Sequence, residues 1–234
     1  MAPIVTSHAA CKGHAPENTL AGVRKALELG ADAIEVDLHL TRDAVPVLIH
    51  DATVDRTTDG SGEIASLSLR QARRLDAGGG DRIPTLREVL DEVDGRALMV
   101  LEIKATGIEA EVLGVVRRAK ALRWCAVHSF WPQVVQRVRQ LEPKMPCSLL
   151  TSGRDVKDWA SYFGFALSLN AQGVAVNHRA VTPEIVRAAH LRELRCSTWT
   201  VDTRADVRRV AACGVDAITS DYPDRVRRWL GRRL

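Results

Sequence analysis

Two histidines, His8 and His50, flank a Glu-x-Asp pair, Glu35 and Asp37, and a later Leu-Glu-Ile-Lys segment sets a third acid, Glu102, two residues before Lys104. Residues two apart on a strand point to the same face, so Glu35 and Asp37 can serve one cation together. Glu102 lies in a similar apolar run and offers a third oxygen ligand. Three carboxylates converging without a counter-charge repel one another and drive their own pKa values up. A hard divalent ion such as Mg2+ or Ca2+ relieves that repulsion, because both prefer oxygen ligands. No histidine or cysteine spacing suggests zinc. Imidazole titrates near neutral pH and suits proton transfer, so the full set points to metal-assisted hydrolysis of a phosphodiester.

Strands and helices must position these groups. Eight short β-branched runs recur, at residues 3–8, 33–38, 98–103, 125–129, 146–150, 173–176, 196–200 and 216–219. Helical patterns separate them, with start signals such as Thr85 followed by Glu88, a capping box, and Thr182 followed by Pro183. Gly30 and Gly214 fall where helices should end. Eight such units in this length predict a (β/α)8 TIM barrel rather than an open doubly wound sheet, and no Gly-x-Gly-x-x-Gly follows the first strand. Residues 39–96 break the rhythm with a further apolar run at 45–49 and polar turns around Asp59, and read as an insertion between barrel strands two and three. His8, Asp37, Glu102, Lys104, Ser129, Trp199 and Asp221 all fall at or just past strand ends, where barrel enzymes keep their chemistry. Ile34, Val36 and Leu38 alternate with the acids, as expected if the acids point inward beneath an outer helix layer.

At 234 residues and 46% hydrophobic content, the chain can bury one core, and it reads as a single domain, 1–234. Its net charge of +4 owes much to Arg225, Arg227, Arg228, Arg232 and Arg233 beside Trp229 and Leu230. That spacing suits a closing amphipathic helix with a solvated basic face rather than a nucleic-acid patch. Five cysteines without a Cys-x-x-Cys read as reduced core residues, hence a cytoplasmic protein. No run reaches about 18 apolar residues, so no stable membrane anchor is expected.

The motifs, taken in order, resemble the glycerophosphodiester phosphodiesterase family. They are His8-Ala-Ala-Cys-Lys-Gly-His-Ala-Pro-Glu-Asn-Thr19, Glu35-Val-Asp37, Val47-Leu-Ile-His50-Asp51, Asp55-Arg-Thr-Thr-Asp-Gly60 and Leu101-Glu-Ile-Lys104, followed by Ser129-Phe130, Trp199-Thr-Val201 and Asp221-Tyr-Pro223. The resemblance spans almost the whole chain. It implies a barrel of the phospholipase-C-like type that hydrolyses a small-molecule glycerophosphodiester to an alcohol and sn-glycerol 3-phosphate with a divalent cation. It implies Glu35, Asp37 and Glu102 as metal ligands, His8 and His50 as the acid-base pair, and Lys104 as the lysine approaching the phosphate. Trp199 is expected to line the glycerol or alcohol pocket. Two alternatives share the fold: action on lysophospholipids or as a cyclising lyase, and a non-catalytic phosphate-ligand binder.

One departure stands out. The family usually has His-Arg-Gly at the first strand end, whereas this chain has His8-Ala9-Ala10. An arginine fork grips two phosphate oxygens at once, and the nearby Lys12 would compensate only as a point charge. The base role is given to His8 and the acid role to His50, an order that sequence leaves reversible. Asp51 is expected to orient His50, His39 to support the site, Glu17 to orient it, and Asn18 or Thr19 to cap the first helix.

Overall fold

Parallel strands need crossovers, and amphipathic helices supply them here along a chain whose computed structural model describes residues 2–232. Arg233, counted above in the basic tail, lies outside the described residues. The elements are β1 (Ile4–Ser7), α1 (Leu20–Glu28), β2 (Ala33–Leu40), β3 (Pro46–Leu48), α2 (Leu69–Ala72), α3 (Leu86–Val93), β4 (Leu98–Ile103), α4 (Glu109–Arg118) and β5 (Cys125–Ser129). They continue as α5 (Pro132–Leu141), β6 (Cys147–Thr151), α6 (Trp159–Ser168), β7 (Gly173–Asn177), α7 (Pro183–His190), β8 (Arg195–Trp199), α8 (Arg204–Ala212), β9 (Ala217–Ser220) and α9 (Pro223–Trp229). The sheet order is β1-β9-β8-β7-β6-β5-β4-β2, all parallel, and a β1–β2 pairing closes it into an eight-stranded (β/α)8 barrel. Thr85 and Glu88 form the expected capping box on α3, and Thr182 caps α7 with Pro183 in its first turn. Gly30 and Gly214 take positive φ just past α1 and α8.

Alternation divides each strand between two environments. Ile34, Val36 and Leu38 on β2 and Met99, Leu101 and Ile103 on β4 are buried against the helix layer. Truncating one of them, Leu101 for example, would cost about 2 to 5 kcal/mol. The opposite faces line the barrel interior, where Glu35 pairs in register with Val100 and Asp37 with Glu102. Beneath these acids a cavity of about 410 Å³ is lined by small side chains such as Thr6, Ala126, Ser148, Ser197 and Thr219, together with larger ones that include Val100, Trp124 and His128. Bulky branched residues fill that space in most such barrels.

Strand β2 runs on to Leu40 because β3 folds back on it antiparallel, Leu38 facing Leu48. Residues 41–84 then hold β3, a 3-10 turn at Ile64–Ser66 and α2. They have a core of their own that includes Val47, Ile49, Val54, Ile64 and Ile83. Helix α3, inside the expected insertion 39–96, packs instead between α1 and α4 in the helix ring.

The tail keeps part of the expected solvated face, with Arg225 and Arg228 exposed on α9, but its other described arginines are engaged. Arg232 donates to both Asp32 oxygens at 2.6 and 2.7 Å, Arg227 adds 3.1 Å, and Arg225 lies 3.9 Å over the Tyr222 ring. Asp32 also accepts from the Val5 backbone N–H, so this basic segment clasps the start of the barrel. All five cysteines are free, and burial pushes the thiols of Cys125, Cys147 and Cys196 up to about 12. Among the described residues, no helix is long and apolar enough to cross a membrane.

Candidate active site

The ends of β2 and β4 bring Glu35, Asp37 and Glu102 together, with one carboxylate oxygen of each within 4.8 Å of the others. All three are buried, and Glu35 Oε1 has no hydrogen-bond partner among the described residues. Burial, and then the charge of Asp37, pushes Glu35 well above the ordinary carboxylate range. Burial raises Glu102 as well, against the pull of Lys104. Lys104 Nζ stands 2.7 Å from Glu102 and 3.3 Å from Asp37. Burial works against its charge, but the two acids hold its pKa above the usual value. A buried all-oxygen set with an unpartnered oxygen and too much negative charge fits a hard divalent cation.

His8 and His50 stand at the edges of this cluster. His8 follows β1, with Nδ1 2.6 Å from Asp221; His50 follows β3, with Nδ1 2.6 Å from Asp51. An ionised carboxylate only accepts, so each Nδ1 carries the proton and each Nε2 is left for chemistry. Burial opposes the charged form of His8, yet the Asp221 hydrogen bond and the charges of Glu35 and Asp221 raise its pKa to about 9. The Arg56 and His50 contacts hold Asp51 down to about 2.

A second layer fixes these side chains. Asp221 is set by Asp202, whose Oδ1 accepts from the Asp221 N–H at 2.9 Å and from Ser220 Oγ at 2.8 Å. Gly13 packs so tightly here that a Cβ would stand 2.5 Å from the Asp221 carbonyl and from the Tyr222 ring. His39, neutral because burial lowers its pKa, donates Nε2–H to the His50 carbonyl at 3.3 Å. Arg56 joins Asp51 to Glu17 at 2.6 Å each, tying the insertion to the loop after β1. Lys12 spends its charge on Glu17, 3.3 Å away.

Asn18 carries more than a helix cap would. Thr19 caps α1, while Asn18, at φ 56, gives Nδ2 to Asp37 at 2.7 Å and accepts the Asp37 N–H at 3.0 Å. The sequence pattern suggests Asn18 only as a cap and places Asp221 only at a strand end, and it offers no role for Asp202 or Arg56 beyond the Asp-Arg pair at 55–56. Ala9 and Ala10 both adopt positive φ, at 44° and 66°, and the Ala9 N–H donates to Glu35 at 2.8 Å. Position 9 therefore presents a buried methyl group where an arginine is usual. Ser129 is a brace: its hydroxyl donates to the Ile103 carbonyl at 2.7 Å. Trp199 sits at the end of β8, its Nε1–H held by the Ala175 carbonyl at 3.1 Å and its ring 5.4 Å edge-on to Phe130.

The model of the glycerophosphoryl diester phosphodiesterase family matches residues 8–225. A glycerophosphodiester phosphodiesterase of Caldanaerobacter subterraneus is 33% identical over 237 residues, covering 96% of each chain. Among solved structures, a glycerophosphodiester phosphodiesterase of Agrobacterium tumefaciens superposes with a TM-score of 0.84 at 29% identity, covering 96% of this chain and 98% of that one. An Oleispira antarctica phosphodiesterase, solved in complex with its product sn-glycerol 3-phosphate, gives 0.89 at 25% identity, covering 98% and 97%.

Proposed function

The chain belongs to the glycerophosphoryl diester phosphodiesterase family, and from that premise we propose that it hydrolyses glycerophosphodiesters to an alcohol and sn-glycerol 3-phosphate. In this reading it works as one catalytic domain, with a divalent cation on Glu35, Asp37 and Glu102 and with His8 and His50 as the acid-base pair. The observation that carries it is the pair of carboxylate-locked imidazoles, at 2.6 Å each, beside a buried acidic triad.

A phosphodiester resists attack because its oxygens are anionic and its leaving alkoxide is poor. When bound, the cation would supply charge neutralisation at a phosphoryl oxygen. Lys104 adds a second positive group at the same point, held between Glu102 and Asp37. With Glu35 and Asp37 neutralised, His8 loses part of what holds its proton, which suits it to take the nucleophile's proton at Nε2. His50, on the insertion, then gives its Nε2 proton to the leaving oxygen. Both rings keep their orientation through Nδ1, as proton transfer requires. Trp199, at the end of β8 and opposite β4, meets Phe130, after β5, edge-on, and the two rings form an apolar wall where the organic part of the substrate would lie. The nucleophile is water or, through a cyclic phosphate, the neighbouring glycerol hydroxyl, and phosphorus NMR of the first product distinguishes them.

The test is turnover of glycerophosphocholine. EDTA should abolish it and Mg2+ or Ca2+ restore it, and Glu102→Gln should lose metal binding and turnover together. Full activity after exhaustive chelation, or in Glu102→Gln, would contradict the metal assignment.

A further inference from the structure

A second charged region occupies the same end of the barrel. In the closed ring β7 lies opposite β2 and β8 opposite β4, so the loops after β6, β7 and β8 face the acidic cluster across the mouth. They enclose a cleft of about 460 Å³ lined by Ser152, Arg154, Asn177, Arg179, Ala180 and Trp199.

The cleft is built, because its parts are fixed by specific contacts. Thr151 Oγ1 accepts the Gly153 N–H at 3.0 Å, Ser152 Oγ accepts that of Arg154 at 3.3 Å, and Asn177 Oδ1 accepts that of Arg179 at 3.1 Å. Gly153, at φ +75, lets the two loops touch: a Cβ there would stand 2.5 Å from that of Ala180. The close approach brings both arginines to one cleft, and Trp199, with its ring nitrogen engaged, forms a rigid wall. No carboxylate lines the cleft, and among the described residues neither guanidinium has an ion-pair partner. Both side chains are exposed and open to the mouth, whereas Arg56 beside the acidic cluster is paired to Glu17 and Asp51.

We propose that this cleft is the subsite for an anionic group, a phosphate or carboxylate, on the alcohol half of the substrate, held by Arg154 and Arg179. The inference rests on the phosphodiesterase reading above. Chemistry assigns the half: glycerol is uncharged and the diester phosphate belongs with the cation and Lys104, so a second anion can come only from the alcohol. Guanidinium groups suit such oxyanions because they donate in a planar fork. The mouth thereby has two poles, one for each negative charge of the substrate.

The experiment compares kcat/KM for glycerophosphocholine, glycerophosphoinositol and a phosphorylated glycerophosphoinositol, in wild type and in Arg154→Ala/Arg179→Ala. The phosphorylated diester should be the best substrate by about tenfold, the scale of one charge-assisted hydrogen bond. The double variant should lose that advantage and stay within about twofold of wild type on the other two, and added salt should shrink the preference. An equal fall on all three substrates would mean that the arginines grip the diester phosphate in place of the missing arginine, and would overturn the inference. No preference in wild type would overturn it too. Calorimetric titration with the free phosphorylated inositol tests the cleft without turnover: saturable binding lost in the double variant supports it, and no binding refutes it. Failure to cleave any of the three diesters would count against the phosphodiesterase reading alone.

Discussion

His8 and His50 each commit Nδ1 to a carboxylate, so Nε2 is the one nitrogen either can offer to a reaction. The proposed division of labour can be read from the leaving group. If His50 protonates the departing oxygen, His50→Ala should lose about 10² to 10⁴ in kcat/KM on a choline ester and far less on a p-nitrophenyl ester, whose anion leaves unaided. An equal loss on both esters would move the acid role to His8. The histidines and acids were legible in the sequence because each sits in a short local motif. Asp221 was legible only as a strand-end residue, since its partner is 213 positions away and no local pattern encodes that pairing. Of the two expected cap candidates Thr19 takes the cap, and Asn18 has a further role with no local signal, since only the approach of β2 gives it its bond to Asp37.

At the scale of elements, the eight barrel runs and their caps could be read because burial on the helix side and turn chemistry are local signals. The clasp of the last helix could not, as Arg232 reaches an acid 200 residues earlier. Asp32 there accepts from Arg232, Arg227 and the Val5 N–H, and although burial opposes its charge, these contacts hold its pKa below the ordinary value. A depressed carboxylate stabilises the fold above its unfolded pKa and loses that contribution as pH falls through the folded one. Asp32→Asn should therefore cost about 1 to 2 kcal/mol at pH 7, a figure kept small by partial solvent screening. The difference from wild type should begin to shrink only below about pH 4, where an unperturbed aspartate protonates, and be lost at a pH below the lowered value that Asp32 has in the folded protein. Urea denaturation at both pH values measures this, and a deficit that persists in acid would refute the clasp.

Over the whole molecule, the acidic triad opposes folding unless its charge is met. Glu35 is buried, has an oxygen without a partner among the described residues, and faces two other acids. Mg2+ or Ca2+ should raise the melting temperature, by the equivalent of about 2.7 kcal/mol at a hundredfold excess over Kd. Glu35→Gln keeps an oxygen for the Ala9 N–H while removing the charge. It should melt above wild type in EDTA and gain little from metal, and a full metal response in this variant would exclude Glu35 as a ligand. Such a result would mark the triad as a place where stability is given up for function.

His50, finally, belongs to no barrel strand. It follows β3 in a segment with its own small core, joined to the rest by the β2–β3 pairing, the Ile49 N–H on the Asp37 carbonyl, the His39 contact, the Arg56 bridge and the Arg73–Glu88 ion pair. The barrel closes through β1 and β2 without it. In evolutionary terms the two histidines therefore have unequal histories open to them. His8 stands in the turn directly after barrel strand β1, whereas His50, to which the acid role is proposed, rides on an excursion that can drift without changing the order of the barrel strands.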